Sequence, residues 1–144
     1  MTAIKHLFHI NAPREKVYKA LTTLDGLANW WTSDTGGGTS PGEVLEFRFG
    51  PQWVNKMKII DLKENELVKW QCIDREDDWL NTIISFSLDE NEGKTRIRFA
   101  QEGWPSDGDF YAACSFSWAR YMESLRQYCQ TGNGEAFGST GYRK

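Results

Sequence analysis

The chain has 144 residues, 40% hydrophobic and 14% aromatic, with a formal net charge of −3, which is the length of one ordinary domain with ample apolar material for a core. Its Lys and Arg residues are scattered rather than massed, which excludes the basic footprint of a nucleic-acid binder. Cys72, Cys114 and Cys129 form neither a CxxC pair nor a disulfide framework, and no run approaches the ~20 apolar residues that span a bilayer, so a cytoplasmic protein with no membrane span and inert core thiols is expected.

Ile4, His6, Phe8 and Ile10 alternate with Lys5, Leu7 and His9, the period of a first strand. Pro13 suits a first helical turn, where its missing N–H would have no partner, and Glu15 suits the positive end of the helix dipole. Val17, Tyr18, Ala20, Leu21 and Leu24 follow at helical spacing. Gly26 is expected to break that helix, with Leu27, Ala28, Trp30 and Trp31 in a second short one. The Gly-, Ser- and Thr-rich stretch from Thr32 to Gly42 predicts a flexible loop.

From Glu43 the period becomes two. Leu45, Phe47 and Phe49 face one way, and Glu46 and Arg48 the other. In Trp53 to Leu62, Met57 and Ile59 oppose Lys56 and Lys58, and the Ile59-Ile60 pair predicts a bulge. Val68, Trp70 and Cys72 form the next run, followed by a charged turn from Asp74 to Asp78. Leu80, Thr82, Ile84, Phe86 and Leu88 make another. After the turn at Asn91-Glu92-Gly93, Thr95, Ile97, Phe99 and Gln101 make the last, with Arg96 and Arg98 outward. Connections this short predict antiparallel neighbours in a meander.

Ser106 to Gly132 reads as one long amphipathic helix. Ser106 with Asp109 suggests a capping box, and Gly132 a left-handed stop. Cys114, Trp118, Tyr121, Leu125 and Tyr128 share a face that must meet the sheet. Residues 1–132 are then the folded unit, and Asn133 to Lys144 a flexible tail. The prediction is an α+β fold: a curved antiparallel sheet of about six strands, two short helices after the first strand, and a long C-terminal helix across the sheet.

That order of elements resembles the helix-grip fold of the START and polyketide-cyclase superfamily, the SRPBCC or Bet v-like proteins. The run Ile10-Asn11-Ala12-Pro13-Arg14-Glu15-Lys16-Val17-Tyr18-Lys19-Ala20-Leu21-Thr22 resembles the opening of the branch named after the activator of the ninety-kilodalton heat-shock protein ATPase. Trp30-Trp31-Thr32, Gly42 ahead of the Phe47–Phe49 strand, Gly93-Lys94-Thr95, and Gly103-Trp104 before the helix with Trp118 and Leu125 match the same branch. The resemblance implies a small hydrophobic or aromatic ligand between helix and sheet. Its alternatives are a chaperone partner, or a cyclase- or hydrolase-like activity.

The inward positions are candidates for such a cavity: Phe47 and Phe49, Met57, Trp70 and Cys72, Thr82 and Ile84, then Phe99 and Gln101. Trp118 and Tyr121 would roof it, with Trp30 and Trp31 at its mouth. Apolar walls with a few convergent polar groups are what a ligand site needs, and the same residues are equally what a filled core contains. Trp53, Trp79 and Trp104 are expected at the surface, as aromatic anchors for a protein partner. His6 and His9 point to opposite sides of one strand, so they cannot share a metal. Asp74, Glu76, Asp77 and Asp78 read as a solvated loop. Gly36-Gly37-Gly38 lacks the Lys-Ser/Thr of a phosphate loop and reads as a flexible rim. No catalytic constellation, metal ligand set or cofactor is expected.

Overall fold

The period-two runs become strands because each carries large apolar side chains on one face only, and that face must be covered. The structure, a computed structural model, describes residues 2–142. The elements in chain order are β1 (Thr2–Ile10), α1 (Arg14–Thr22), α2 (Leu24–Trp30), β2 (Asp34–Gly37), β3 (Val44–Arg48), β4 (Val54–Lys63), β5 (Leu67–Ile73), β6 (Ile83–Asn91), β7 (Lys94–Trp104) and α3 (Asp109–Thr131). They form a seven-stranded antiparallel sheet in the order β1-β7-β6-β5-β4-β3-β2. The α+β helix-grip architecture is as expected, with one strand more.

The extra strand is β2, in the stretch expected to be a loop. Gly36 pairs with Glu46 and Gly37 with Leu45 of β3. Glycines have little strand propensity, yet Gly37 takes φ +95 where a Cβ would collide with the carbonyl of Val44, so only glycine closes the ladder there. The expected flexible rim is therefore a paired edge strand.

Three other boundaries differ. The break between α1 and α2 falls at Thr23 rather than Gly26. Thr23 is extended (φ −113, ψ 148), and its hydroxyl accepts from the Gly26 N–H at 3.0 Å, capping α2. Gly26 remains inside the helix, where a Cβ would meet the Ala20 backbone at 2.7 Å. The fourth predicted run begins late, at Ile83, because Asn81 turns the chain at φ 66 and leaves Leu80 exposed. The capping box does not form. Ser106 lies ahead of the helix and donates to Asp78 at 2.9 Å, while Gly108 occupies the cap position with no side-chain cap. Gly132 ends α3 in the left-handed conformation, as expected. The predicted bulge also forms, as a register shift between Ile59 and Asp61.

The inner sheet face, α1, α2 and the C-terminal half of α3 enclose the core, with Trp30, Trp70, Phe86, Phe99, Met122 and Leu125 among its fully covered side chains. Behind α3 the chain returns along α2. Ser33 N–H donates to the Phe137 carbonyl and Phe137 N–H to the Trp31 carbonyl, both at 2.9 Å. Ser124 Oγ donates to the Trp30 carbonyl at 2.8 Å and accepts from the Glu135 N–H at 2.7 Å. These bonds set Phe137 and Tyr142, in the segment expected to be a tail, beside the open end of the sheet; residues 143 and 144 of that segment lie outside the described residues.

Candidate ligand cleft

A cleft of about 290 Å³ opens beside the N-terminal half of α3, lined by Phe110, Cys114, Ser117 and Trp118 of that helix. Trp31 at the end of α2, Phe49 after β3, and Trp118 and Tyr121 of α3 line one end. Phe137 and Tyr142 approach from the returning chain, while Trp53, Asn55, Arg75 and Trp79 stand at the other end. A volume at the lower edge of ligand-binding pockets suits a one- or two-ring molecule.

Its wall is a column of indoles. Trp79 stacks on Trp118 with ring centroids 5.8 Å apart and planes 13° apart. Trp118 tilts onto Trp31 at 5.0 Å, and Trp31 stacks on the buried Trp30 and Trp70 at 5.9 and 6.1 Å. Offset packing of this kind is favourable beyond the area it covers. One hydrogen-bonded chain locks the column in place: Trp118 Nε1 donates to Gln101 Oε1 at 2.8 Å, Gln101 Nε2 to Thr82 Oγ1 at 3.0 Å, and Thr82 Oγ1 to the Trp79 carbonyl at 2.7 Å. Each member is buried and satisfied, which fixes the ring orientations.

The far end is polar. Arg75 lies between the faces of Trp53 and Trp79, its guanidinium carbon 4.8 and 4.6 Å from their centroids. Its Nε donates to Asp77 Oδ1 at 2.9 Å, its Nη2 to Asp77 Oδ2 and its Nη1 to Asn55 Oδ1.

Of the residues anticipated for the cavity, Phe49, Trp118 and Tyr121 line the cleft, as does Trp31 from the expected mouth. Phe47, Met57, Trp70, Cys72, Ile84 and Phe99 lie beneath it, fully buried. Thr82 and Gln101 support the wall through the chain of bonds just described. Trp30 is inside the core rather than at the mouth, because its Nε1 donates to the Ala20 carbonyl at 2.8 Å across the α1–α2 corner. Trp79 and Trp104, expected at the surface, are buried, and of the three only Trp53 is exposed. Sequence reasoning missed Asn55, Arg75, Phe110, Cys114, Ser117, Phe137 and Tyr142. The one signal for the polar end was Trp79 close behind Arg75 in the acidic turn, and reading that turn as solvated concealed it.

The thiols in and beneath the cleft are held in the protonated form. Burial pushes the Cys72 thiol up to about 12. Cys114, in the cleft wall, is also raised by burial, partly offset by the Trp79 indole N–H that donates to its sulfur at 3.3 Å. Neither thiol is a thiolate at neutral pH. Burial likewise raises the Tyr121 phenol, reinforced by its hydrogen bond with Tyr142. His6 stacks on Phe99 and meets the Ser115 carbonyl at 3.2 Å, while His9 pairs with Asn91. What the cleft presents is aromatic faces and fixed donors.

Residues 11–130 match the family model described as activator of Hsp90 ATPase homolog 1-like protein. The solution structure of the Aha1 dimer from Colwellia psychrerythraea is similar, with a TM-score of 0.86 and 38% identity over 93% of this chain and 100% of that one. A Staphylococcus saprophyticus protein known from its crystal structure has a TM-score of 0.77 at 17% identity, covering 92% and 95% of the two chains. CalU16 from Micromonospora echinospora has a TM-score of 0.73 at 13% identity, covering 88% and 73%; at such identities the likeness is one of fold. No curated protein matches the sequence.

Proposed function

We propose a binding function from this premise: the chain belongs to the activator of Hsp90 ATPase homolog 1-like family. Its ligand is a small hydrophobic or aromatic molecule held in the cleft between α3 and the open end of the sheet. The observation that carries this reading is the cleft itself, about 290 Å³ walled by aromatic rings that are locked by the Trp118–Gln101–Thr82 chain. Pre-oriented apolar walls need no reorganisation when a flat ligand enters. Native mass spectrometry of freshly purified protein, with extraction of whatever co-purifies, tests it. The expected result is an adduct that disappears in Ser117→Trp, which fills the cleft from an exposed position. An adduct that survives in that variant places any ligand elsewhere and sinks the reading.

A second reading, association through α3, is favoured by a different surface. Phe116 is 69% exposed on α3 and Leu7 62% exposed on β1, while Ala112, Ala113 and Ala119 leave the helix flank flat and apolar. The Colwellia protein is a dimer, and we propose that a second copy covers this flank. Sedimentation equilibrium should show dimers in the parent chain and monomers in Phe116→Asp; a parent chain that is monomeric at high concentration discards the dimer.

A further inference from the structure

Arg75 holds more hydrogen-bonding capacity than the protein around it uses. Its side chain is only 6% exposed, and a guanidinium has five N–H donors and no acceptor. Three of them meet Asp77 and Asn55, and no described residue accepts from the other two. Both faces are covered by Trp53 and Trp79, so what Arg75 offers the cleft is its edge. A buried donor without an acceptor is costly, and a ligand atom that matches it gains what the free protein lacks.

The surroundings decide which acceptor fits. The charge of Arg75 is already balanced by Asp77, whose two oxygens it grips as a fork. Asp74, Glu76 and Asp78 stand on the same turn, and of these Asp74 is paired, with Lys56 at 3.0 Å. A carboxylate brought to the edge of Arg75 meets that excess of like charge, whereas a neutral carbonyl oxygen accepts from a spare Nη N–H without it.

We propose that the cleft selects neutral aromatic carbonyl compounds, ketones, quinones or amides of one or two rings, with the ring against Trp31, Phe49 and Trp118 and the oxygen at the free edge of Arg75. This rests on the binding function proposed above and names its ligand class. Discrimination of this kind is strong because an analogue without the oxygen leaves the donors unmatched.

Equilibrium dialysis with three probes of one ring system tests it: 2-acetylnaphthalene, 2-ethylnaphthalene and 2-naphthoate. The acetyl compound is expected to bind at least ~10-fold more tightly than either of the others, the scale of a hydrogen bond to a charged group. In Arg75→Met/Asp77→Asn, which removes the ion pair as a unit, the preference for the acetyl over the ethyl compound should fall below about twofold. Equal binding of acetyl and ethyl compounds to the parent protein leaves the cleft a binding site and overturns the assignment of Arg75. Tightest binding of 2-naphthoate overturns the neutral-acceptor class, and binding of none of the three overturns both this inference and the binding function. The ranking in the parent protein decides the matter even if the double variant fails to fold.

Discussion

The two halves of α3 share one helical repeat and have opposite fates. From Trp118 to Cys129 the inward positions are covered: Met122 is 2% exposed and Leu125 0%, over a sheet and two short helices that close beneath them. From Asp109 to Ser117 the helix is held to the β1–β7 edge, where the Tyr111 hydroxyl donates to the Ala3 carbonyl at 2.8 Å and His6 meets the Ser115 carbonyl at 3.2 Å, and its flank toward Trp79 is left as a cleft wall with Cys114 half-buried and Phe110 40% exposed. Periodicity therefore says which face of a helix is apolar, while the elements underneath decide whether that face is core or site. Trp118 stands at the junction and belongs to both.

Mutations along α3 should trace that junction. Trp118→Ala removes a ring packed against Trp31, Trp79 and Phe99 and should cost about 3–5 kcal/mol in urea unfolding; a loss under 1 kcal/mol would move the junction further into the helix. Leu125→Ala, deep in the closed half, should cost about 2–5 kcal/mol and leave probe binding in the cleft unchanged. Gln101→Leu breaks both links of the polar chain and strands the Trp118 indole N–H, which should cost about 1–3 kcal/mol. It should also weaken cleft binding, because the wall loses its fixed orientation, and dialysis with 2-ethylnaphthalene measures that. Phe116→Ala in the open half should change stability by no more than ~0.5 kcal/mol. If Phe116 proves as costly as Leu125 in dilute solution, the two halves are not different in kind.

Alkaline pH separates the halves more gently. Cys72 and Cys129 are held at about 12 by burial against an ordinary value of 9.0. The native state keeps these protons between pH 9 and 12 while the unfolded chain releases them, so their contribution to stability is unchanged below pH 9 and falls as pH rises above it. Raised tyrosines, Tyr18, Tyr121 and Tyr128, add to the fall from their ordinary value of 10.0. Urea midpoints from pH 8 to 10.5 should decline, less steeply in Cys72→Ala/Cys129→Ala. In native protein at pH 8.5 iodoacetamide should reach Cys114 first, since its sulfur borders the cleft.

Most of the architecture was legible because side-chain period encodes it: six of the strands and all three helices follow from alternation and from Pro13, Gly132 and the Asn91–Gly93 turn. The strand at Asp34–Gly37 was not, since its residues form a ladder through backbone alone. Inwardness was also legible, as for Phe47, Trp70 and Phe99. What could not be read was which inward residues stay uncovered. That depends on which strands lie under each turn of α3 and on the return of Phe137 across Trp31, a contact between positions more than a hundred residues apart, set by the bonds of Ser33 and Ser124. Arg75 was hidden for a related reason. An Arg among four carboxylates reads as solvated, and only the fold brings Trp53 and Trp79 onto its two faces.

The stacked indoles also form an optical path. Excitation absorbed by Trp30 or Trp70 in the core can pass through Trp31 and Trp118 to Trp79, each ring about 6 Å or less from the next. Trp53, 48% exposed, completes it across the Arg75 guanidinium, and as the ring most relaxed by water it should emit furthest to the red. A molecule seated in the cleft touches the chromophores through which this energy passes, so one quencher would darken the emission of several tryptophans together. The protein's own fluorescence is thus a built-in reporter of cleft occupancy, without a label.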